Sequence, residues 1–162
     1  MIRTATVSDL EPLIELLCIE NQHNASLASD TICETVDVLT HQELEEILAD
    51  SSQQLFVWES VNTIHGALLG NLVRVNRHRW TQKRCFGYVQ ELVVHPKARR
   101  KGIAKLLVDA FSKWALEHQA THIDLHVWAN NEQAIGFYEK YGFNTKQLLL
   151  SKAVISIESK QR

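Results

Sequence analysis

YVQELVVHPKARRKGIAKLL, Tyr88 to Leu107, is the stretch that decides the fold. A β-favouring run breaks at a proline, passes a basic turn and opens into an amphipathic helix around one glycine. From Tyr88 to Val94 only Gln90 and Glu91 are strongly polar, the pattern of a strand covered on both faces. Pro96 has no N–H and ends the ladder. Ile103, Leu106, Leu107, Ala110, Phe111, Trp114, Ala115 and His118 follow three and four apart, which predicts a helix starting near Arg100 to Gly102. Arg99, Arg100 and Lys101 stand at its N-terminus, where partial positive charge and unpaired N–H groups favour anions rather than cations. The segment therefore reads as an anion-binding turn. Gly102 admits close approach to the backbone, Ala104 keeps the next turn slim, and a phosphate could accept several N–H bonds there. A solvated basic turn is the plainer reading of the same residues.

Composition bounds the rest. A chain of 162 residues suits one domain, expected over residues 1–162. With 45% hydrophobic and 22% charged residues and a net charge of -2, the chain is of ordinary globular composition. That balance argues against general nucleic-acid affinity, so the basic charge is local. Cys18, Cys33 and Cys85 are odd in number and lack CxxC spacing, which predicts neither a disulfide framework nor a zinc site. No signal-peptide pattern and no apolar run near the ~18 residues of a membrane span lead to the expectation of a cytoplasmic protein without a membrane partner.

Outward from the organising stretch, Met1 to Val7 reads as a strand and Ser8-Asp9-Leu10-Glu11 as a capping box. Leu10, Leu13, Ile14, Leu17 and Cys18 predict a helix that frays near Asn21, with Asn24-Ala25-Ser26 a polar turn beyond it. His23 to Leu39 then holds Asp30, Glu34 and Asp37 and no Lys or Arg, which makes it either a solvated loop or a cation attractor. Thr40-His41-Gln42-Glu43 is a second capping box, opening a helix with Leu44, Ile47 and Leu48 inward. Leu55 to Trp58, a Val-Asn turn, and Ile64 to Val75 with Gly66 and Gly70 read as a two-strand meander in which the glycines mark a bulge. Asn76 to Lys83 is a hairpin loop in preference to a nucleic-acid finger. Thr121 to Trp128 alternates strictly, and its His-x-Asp-x-His face is read as polar packing, not as a metal site. Asn130-x-x-Gln133 caps a helix that Gly142 ends. Phe143 to Ser151 and Ala153 to Ile157 are expected to form a final strand pair.

Arg99-x-x-Gly102-x-Ala104, directly after Leu92-Val93-Val94-His95-Pro96, resembles the acetyl-CoA signature of the Gcn5-related N-acetyltransferase (GNAT) family. A second signature of that family is matched by Asn131, Ala134, Phe137-Tyr138 and Gly142-Phe143, in the right order and at the right separation. The pattern of elements predicts an α/β domain with helices on both faces of a mixed sheet. The resemblance adds a GNAT-like central sheet that splays between the strand ending at Pro96 and the strand ending at Trp128, leaving a wedge for pantetheine.

The implied activity is transfer of an acetyl group from acetyl-CoA, a cosubstrate, directly to a primary amine, with no metal. By resemblance, Leu92, Val93 and Val94 pair with pantetheine; Arg99, Arg100, Lys101, Gly102, Ile103 and Ala104 hold the pyrophosphate; Asn131 bonds the pantetheine arm; Tyr138 protonates the leaving thiolate. Helix capping remains the alternative for Asn131 and core packing for Tyr138. Glu91 is the leading base, because a carboxylate on a central strand is costly to bury without a task or a partner. Substrate-ammonium anchor and structural ion pair stay open for it, as does which of Gln90 and Glu91 faces the site, since neighbours on a regular strand point opposite ways. A small cationic amine is the expected acceptor and nucleic acid is not an expected partner. A protein N-terminus or lysine and a non-catalytic CoA-binding module are the alternatives. The oligomeric state is not legible, and a homodimer is left open.

Overall fold

The computed structural model describes residues 1–154. In chain order the elements are β1 (Ile2–Thr4), α1 (Leu10–Leu27), α2 (His41–Ala49), β2 (Gln53–Ser60), β3 (Thr63–Val75), β4 (Arg84–Val94), α3 (Ile103–Glu117), β5 (His122–Leu125) and α4 (Glu132–Lys140). The five strands lie in the order β1-β2-β3-β4-β5. All neighbours are antiparallel except β4 and β5, which α3 joins as a parallel pair. Val61 and Asn62, with φ of 51° and 57°, turn β2 into β3. Such a two-residue turn with both φ positive matches the twist of a hairpin.

Alternation along the strands sends side chains to two cores. Leu55 and Val57 of β2, Ala67 of β3 and Val93 of β4 meet Leu13, Leu16 and Leu44 from α1 and α2 on one face. Leu68 and Val89 meet Ile103, Leu107, Val108 and Phe111 of α3 on the other. The predicted α3 stripe is corrected at two places: Leu106 is exposed, with Val108 inward beside Leu107, and His118 is the exposed C-cap beyond the end of the helix. Gly66 and Gly70 let α3 lie close to β3. A Cβ on Gly70 would stand 2.5 Å from Phe111 Cε2 and 2.8 Å from the Tyr88 carbonyl oxygen. Gly70→Ala is therefore expected to destabilise the fold by about 1–3 kcal/mol, the usual cost of overpacking, measurable by urea denaturation.

Several local expectations change. The capping box at the first turn is formed by Thr6 and Asp9 instead of Ser8 and Glu11: Thr6 N–H donates to Asp9 Oδ2 at 2.7 Å. The Arg3 guanidinium also grips Asp9, at 2.7 and 2.9 Å, and draws that carboxylate away from later positions. Helix α1 does not fray near Asn21 but runs through Asn24–Ser26 to Leu27. Ala25 and Ala28 are buried there, and Asn130 Nδ2 donates to the Leu27 carbonyl at 2.8 Å. Asn130 is thus tied to α1, and Asn131 is the cap of α4, its Oδ1 accepting from Ala134 N–H at 3.2 Å. Thr40 and Glu43 do form the second box. Residues 143–151 form no strand. The predicted Ala153 to Ile157 strand lies outside the described residues beyond Val154 and is not a strand before it.

Candidate active site

The parallel pairing of β4 with β5 covers only Phe86 to Val89 against His122 to Leu125. Beyond that point β5 ends, so the expected strand to Trp128 stops three residues early, and among the described residues the β5 side of β4 from Gln90 to Val94 carries no strand. This is the wedge. At the same level β4 is bulged: Leu69 pairs with Glu91 and Gly70 with Val89, leaving Gln90 without a partner in β3. One extra residue reverses the facing of everything after it. Val89 packs with α3 before the bulge, Leu92 and Val94 do so after it, and Val93 turns to α1 and α2. The bulge therefore decides the open question of facing. Glu91 stands on the α1 and α2 side, while Gln90 is exposed and donates to Asn71 Oδ1 at 2.8 Å.

Across from Glu91 stands Glu20 of α1, which sequence reasoning missed. The two carboxyl groups are hydrogen-bonded to each other, and Leu92 N–H also faces Glu20. Burial, then the neighbouring Glu91, pushes the Glu20 carboxyl up to about 8. Burial likewise raises Glu91, with the bond from Glu20 opposing the shift. Two like charges cannot both ionise cheaply at hydrogen-bond distance, so the pair holds one proton and one negative charge near neutral pH. Glu20 Oε2 is buried without a hydrogen-bond partner. A signal for Glu20 was present: it falls seven residues after Leu13, four after Leu16 and three after Leu17, on the apolar stripe of α1.

Two cavities meet at Glu91, Leu17 and Val38. One, of about 330 Å³, is walled largely by Leu13, Leu39, Ile47, Leu55, Leu69 and Val93. The other, of about 260 Å³, is lined by Glu20, Asn21, Asn24, Ile32, Thr35 and Asp37. Neither lining includes a lysine or arginine. Asn21 holds the loop over the second cavity, donating to the Cys33 carbonyl at 3.1 Å and accepting from Thr35 N–H at 2.9 Å. Of the three loop acids only Asp37 reaches this lining, and all three are exposed.

Tyr138 projects from α4 with its ring edge-on to Phe137 and Phe143, at 5.2 and 5.3 Å between centroids. Burial, with the Glu20 carboxylate adding to it, pushes the phenol up to about 12. Its hydroxyl has no hydrogen-bond partner among the described residues, although the ring is well packed. Packing and an unspent O–H thus coexist at this residue.

At the basic turn Gly102 has φ of 78° and nothing within 4 Å of where a Cβ would stand. It precedes α3, whose first amides have no partner within the helix. Arg100 and Lys101 are exposed and make no ion pair among the described residues, whereas Arg99 Nε turns back to the Val94 carbonyl at 3.1 Å. The Ile103 side chain is in the core, so only its amide faces the turn. Of the cofactor candidates, Leu92 and Val94 pack toward α3, Ala104 is half-buried and Asn131 spends its carbonyl on the α4 cap. The His-x-Asp-x-His face of β5 serves separate partners: Asp124 takes Arg84 at 3.0 Å, and His126 Nδ1 lies 2.7 Å from the Tyr88 hydroxyl.

Comparison with known proteins places these features in context. The model of the acetyltransferase (GNAT) family matches residues 20–143. An uncharacterized N-acetyltransferase of Bacillus subtilis, YhdJ, is 31% identical over 121 residues, which cover 74% of this chain and 82% of that protein. The crystal structure of a mutant of the BH1408 protein of Bacillus halodurans superposes with a TM-score of 0.91 at 22% identity, covering 96% of this chain and 99% of that one. An aminoglycoside N-acetyltransferase, AAC(6')-Iy, determined in complex with CoA, superposes with a TM-score of 0.69 at 15% identity, covering 96% of this chain and all of that one.

Proposed function

Since the chain belongs to the acetyltransferase (GNAT) family and is an acetyl-CoA-dependent N-acetyltransferase, we propose that residues 1–162 form one domain that acetylates a small, cationic primary amine. The observation that carries this reading is the acidic lining of the acceptor side, where Glu20, Asp37 and Glu91 meet and no cationic side chain competes with the substrate. Negative charge in a walled cleft concentrates cations and orients an ammonium. The adjoining apolar cavity takes the carbon skeleton of the same molecule.

In this reading pantetheine lies along the unpaired side of β4 at Leu92 to Val94, and the pyrophosphate takes the amides of Gly102 to Ala104 with Arg100 and Lys101 beside it. Asn131 contributes through its amide nitrogen. The acceptor ammonium gives one proton to the Glu20–Glu91 pair, which is Glu91's role as base. The neutral nitrogen then attacks the thioester carbonyl, forming C–N as C–S breaks. The departing sulfur takes the Tyr138 phenol proton, and the second proton lost by nitrogen restores the phenol. One proton is released overall. Burial suits Tyr138 to this, because its O–H stays protonated throughout the working pH range.

Acetyl-CoA is expected to raise the melting temperature and CoA to compete, as ligands that bind the folded state do. Gly102→Val should lose this shift. Valine at positive φ is itself strained, so the variant is scored by the ligand-induced difference and not by its own melting point. A wild-type shift in Gly102→Val would return the turn to a solvated role. Thiol release measured over an amine panel tests the acceptor, with aminoglycosides included because a protein of the same fold is named for them. Cationic amines should be favoured and their apparent affinity should fall with added salt; a preference for neutral or acidic amines would overturn the charge argument.

A further inference from the structure

Glu20 stands on α1 and Tyr138 on α4, and among the described residues a single hydrogen bond joins α1 to the segment that carries α4. It runs from Asn130 Nδ2 to the Leu27 carbonyl at 2.8 Å. Leu27 is the last residue of α1, so its carbonyl is one that the helix itself leaves without a partner. Packing alone holds α4 loosely. No residue of α4 is fully buried, and Phe137 attaches it to the core on the α3 side of the sheet, not to α1.

The tie sits where it has leverage on the site. Residues 126–131 carry the chain from the end of β5 to α4 and are pinned at both ends. His126 Nδ1 lies 2.7 Å from the Tyr88 hydroxyl of β4, and Asn130 grips the end of α1. Back from Leu27 to Glu20 and forward from Glu132 to Tyr138, the two helical legs measure about 10 and about 9 Å at a rise of ~1.5 Å per residue. Legs of nearly equal length from a common tie bring Glu20 and Tyr138 to one level, and the Glu20 charge is felt at the Tyr138 phenol. Leu17, Glu20, Asn21 and Asn24, which line the second cavity, form the stripe of α1 that ends at the tie.

We propose that Asn130 is a positioning residue: by fixing the end of α1 against the α4 segment it sets the distance between the Glu20–Glu91 pair, which receives the proton of the acceptor nitrogen, and the Tyr138 hydroxyl, which meets the departing sulfur. The proposal rests on the roles given above to Tyr138 and to the carboxyl pair. Both groups act on one small tetrahedral centre, and misplacing a reacting group by about 1 Å can cost on the order of 10²-fold. Asn131, the next residue, caps α4 through its own carbonyl, so the start of the helix does not depend on Asn130.

A double-mutant cycle provides the test: thiol release by the wild type, Asn130→Ala, Tyr138→Phe and the double variant, with the amine of the panel that the wild type uses best. Asn130→Ala is expected to lower kcat by on the order of 10-fold, with far-UV circular dichroism and the acetyl-CoA-induced thermal shift unchanged. In the Tyr138→Phe background the same substitution should cost about twofold or less, because the hydroxyl it positions is gone. An unchanged kcat in Asn130→Ala beside a large loss in Tyr138→Phe overturns the positioning role alone. Full additivity in the double variant, or loss of the thermal shift, places the effect of Asn130 away from the proton donor and overturns it as well. Wild-type turnover in Tyr138→Phe, or no turnover of any amine, overturns the roles on which the proposal rests and the proposal with them. Should Asn130→Ala fail to fold, Asn130→Asp, which keeps the size of the side chain but has no amide to donate, takes its place in the cycle.

Discussion

Tyr138→Phe is expected to lower turnover by on the order of 10²-fold while leaving the acetyl-CoA-induced thermal shift in place. The substitution removes one oxygen and keeps the ring that packs edge-on between Phe137 and Phe143. A purely structural Tyr138 would therefore show nothing, because its hydroxyl serves no protein partner among the described residues. The loss is specific to the step in which sulfur leaves. It should shrink for thioester donors whose thiols are more acidic, since a better leaving group needs less help from a proton. Unchanged turnover with a good acceptor would return Tyr138 to the core.

Glu91→Gln should lower kcat/KM for cationic amines by on the order of 10²-fold, since it removes both the proton acceptor and the charge that holds the ammonium. Glu20→Gln should cost activity much less. A glutamine amide at that position can still donate to the Glu91 carboxylate, as the protonated Glu20 carboxyl does. The distinguishing mark of Glu20 is instead the pH dependence of stability. Its folded-state value of about 8 lies above the ordinary 4.5. Below 4.5 the group is protonated whether folded or not; between 4.5 and about 8 the folded protein keeps a proton that the unfolded chain releases. The contribution is thus fully present at low pH and is lost as pH rises through about 8. Denaturant unfolding of the wild type should show stability declining across this window by on the order of 2 kcal/mol, and Glu20→Gln should flatten that slope. Asp9, whose carboxylate Arg3 holds below its usual range, works in the opposite sense. Its contribution is lost as pH falls through its lowered value, so the Glu20 measurement is made above pH 5. An equal slope in wild type and Glu20→Gln would remove Glu20 from the shared-proton pair.

Much of this site was legible because its parts are local. A β-favouring run, a proline, a basic turn, a left-handed glycine and a 3.6-residue stripe each act within a few residues of themselves, so Tyr88 to Leu107 could be read as strand, turn and helix from chemistry alone. The Asn131 to Phe143 signature was equally compact. Where competing local options existed the reading slipped. Ser8 and Thr6 were both able to begin a box, and Arg3, brought in from β1, decided for Thr6 by gripping Asp9. Asn130 and Asn131 were both able to cap α4, and the end of α1 claimed the first of them. The helix through Asn24–Ser26 looked like a turn because its support, buried Ala25 and Ala28, comes from outside the segment.

By itself, then, the sequence determined the α/β class, the strand, basic turn and helix around Gly102 and the acetyltransferase resemblance, and it nominated Tyr138 and Glu91 as the candidates to move protons. Tertiary structure alone decided which way Glu91 faces, because that depends on an unpaired residue at Gln90 that arises only when β4 is laid against Gly70 of β3. It alone brought Glu20 of α1 against Glu91 of β4, a pair far apart in the chain whose shared proton exists only once α1 covers β4. It also ended β5 at Leu125, where the pairing with β4 stops at the same bulge. A strand's propensity is written in its own residues, but the edge it pairs with belongs to another part of the fold.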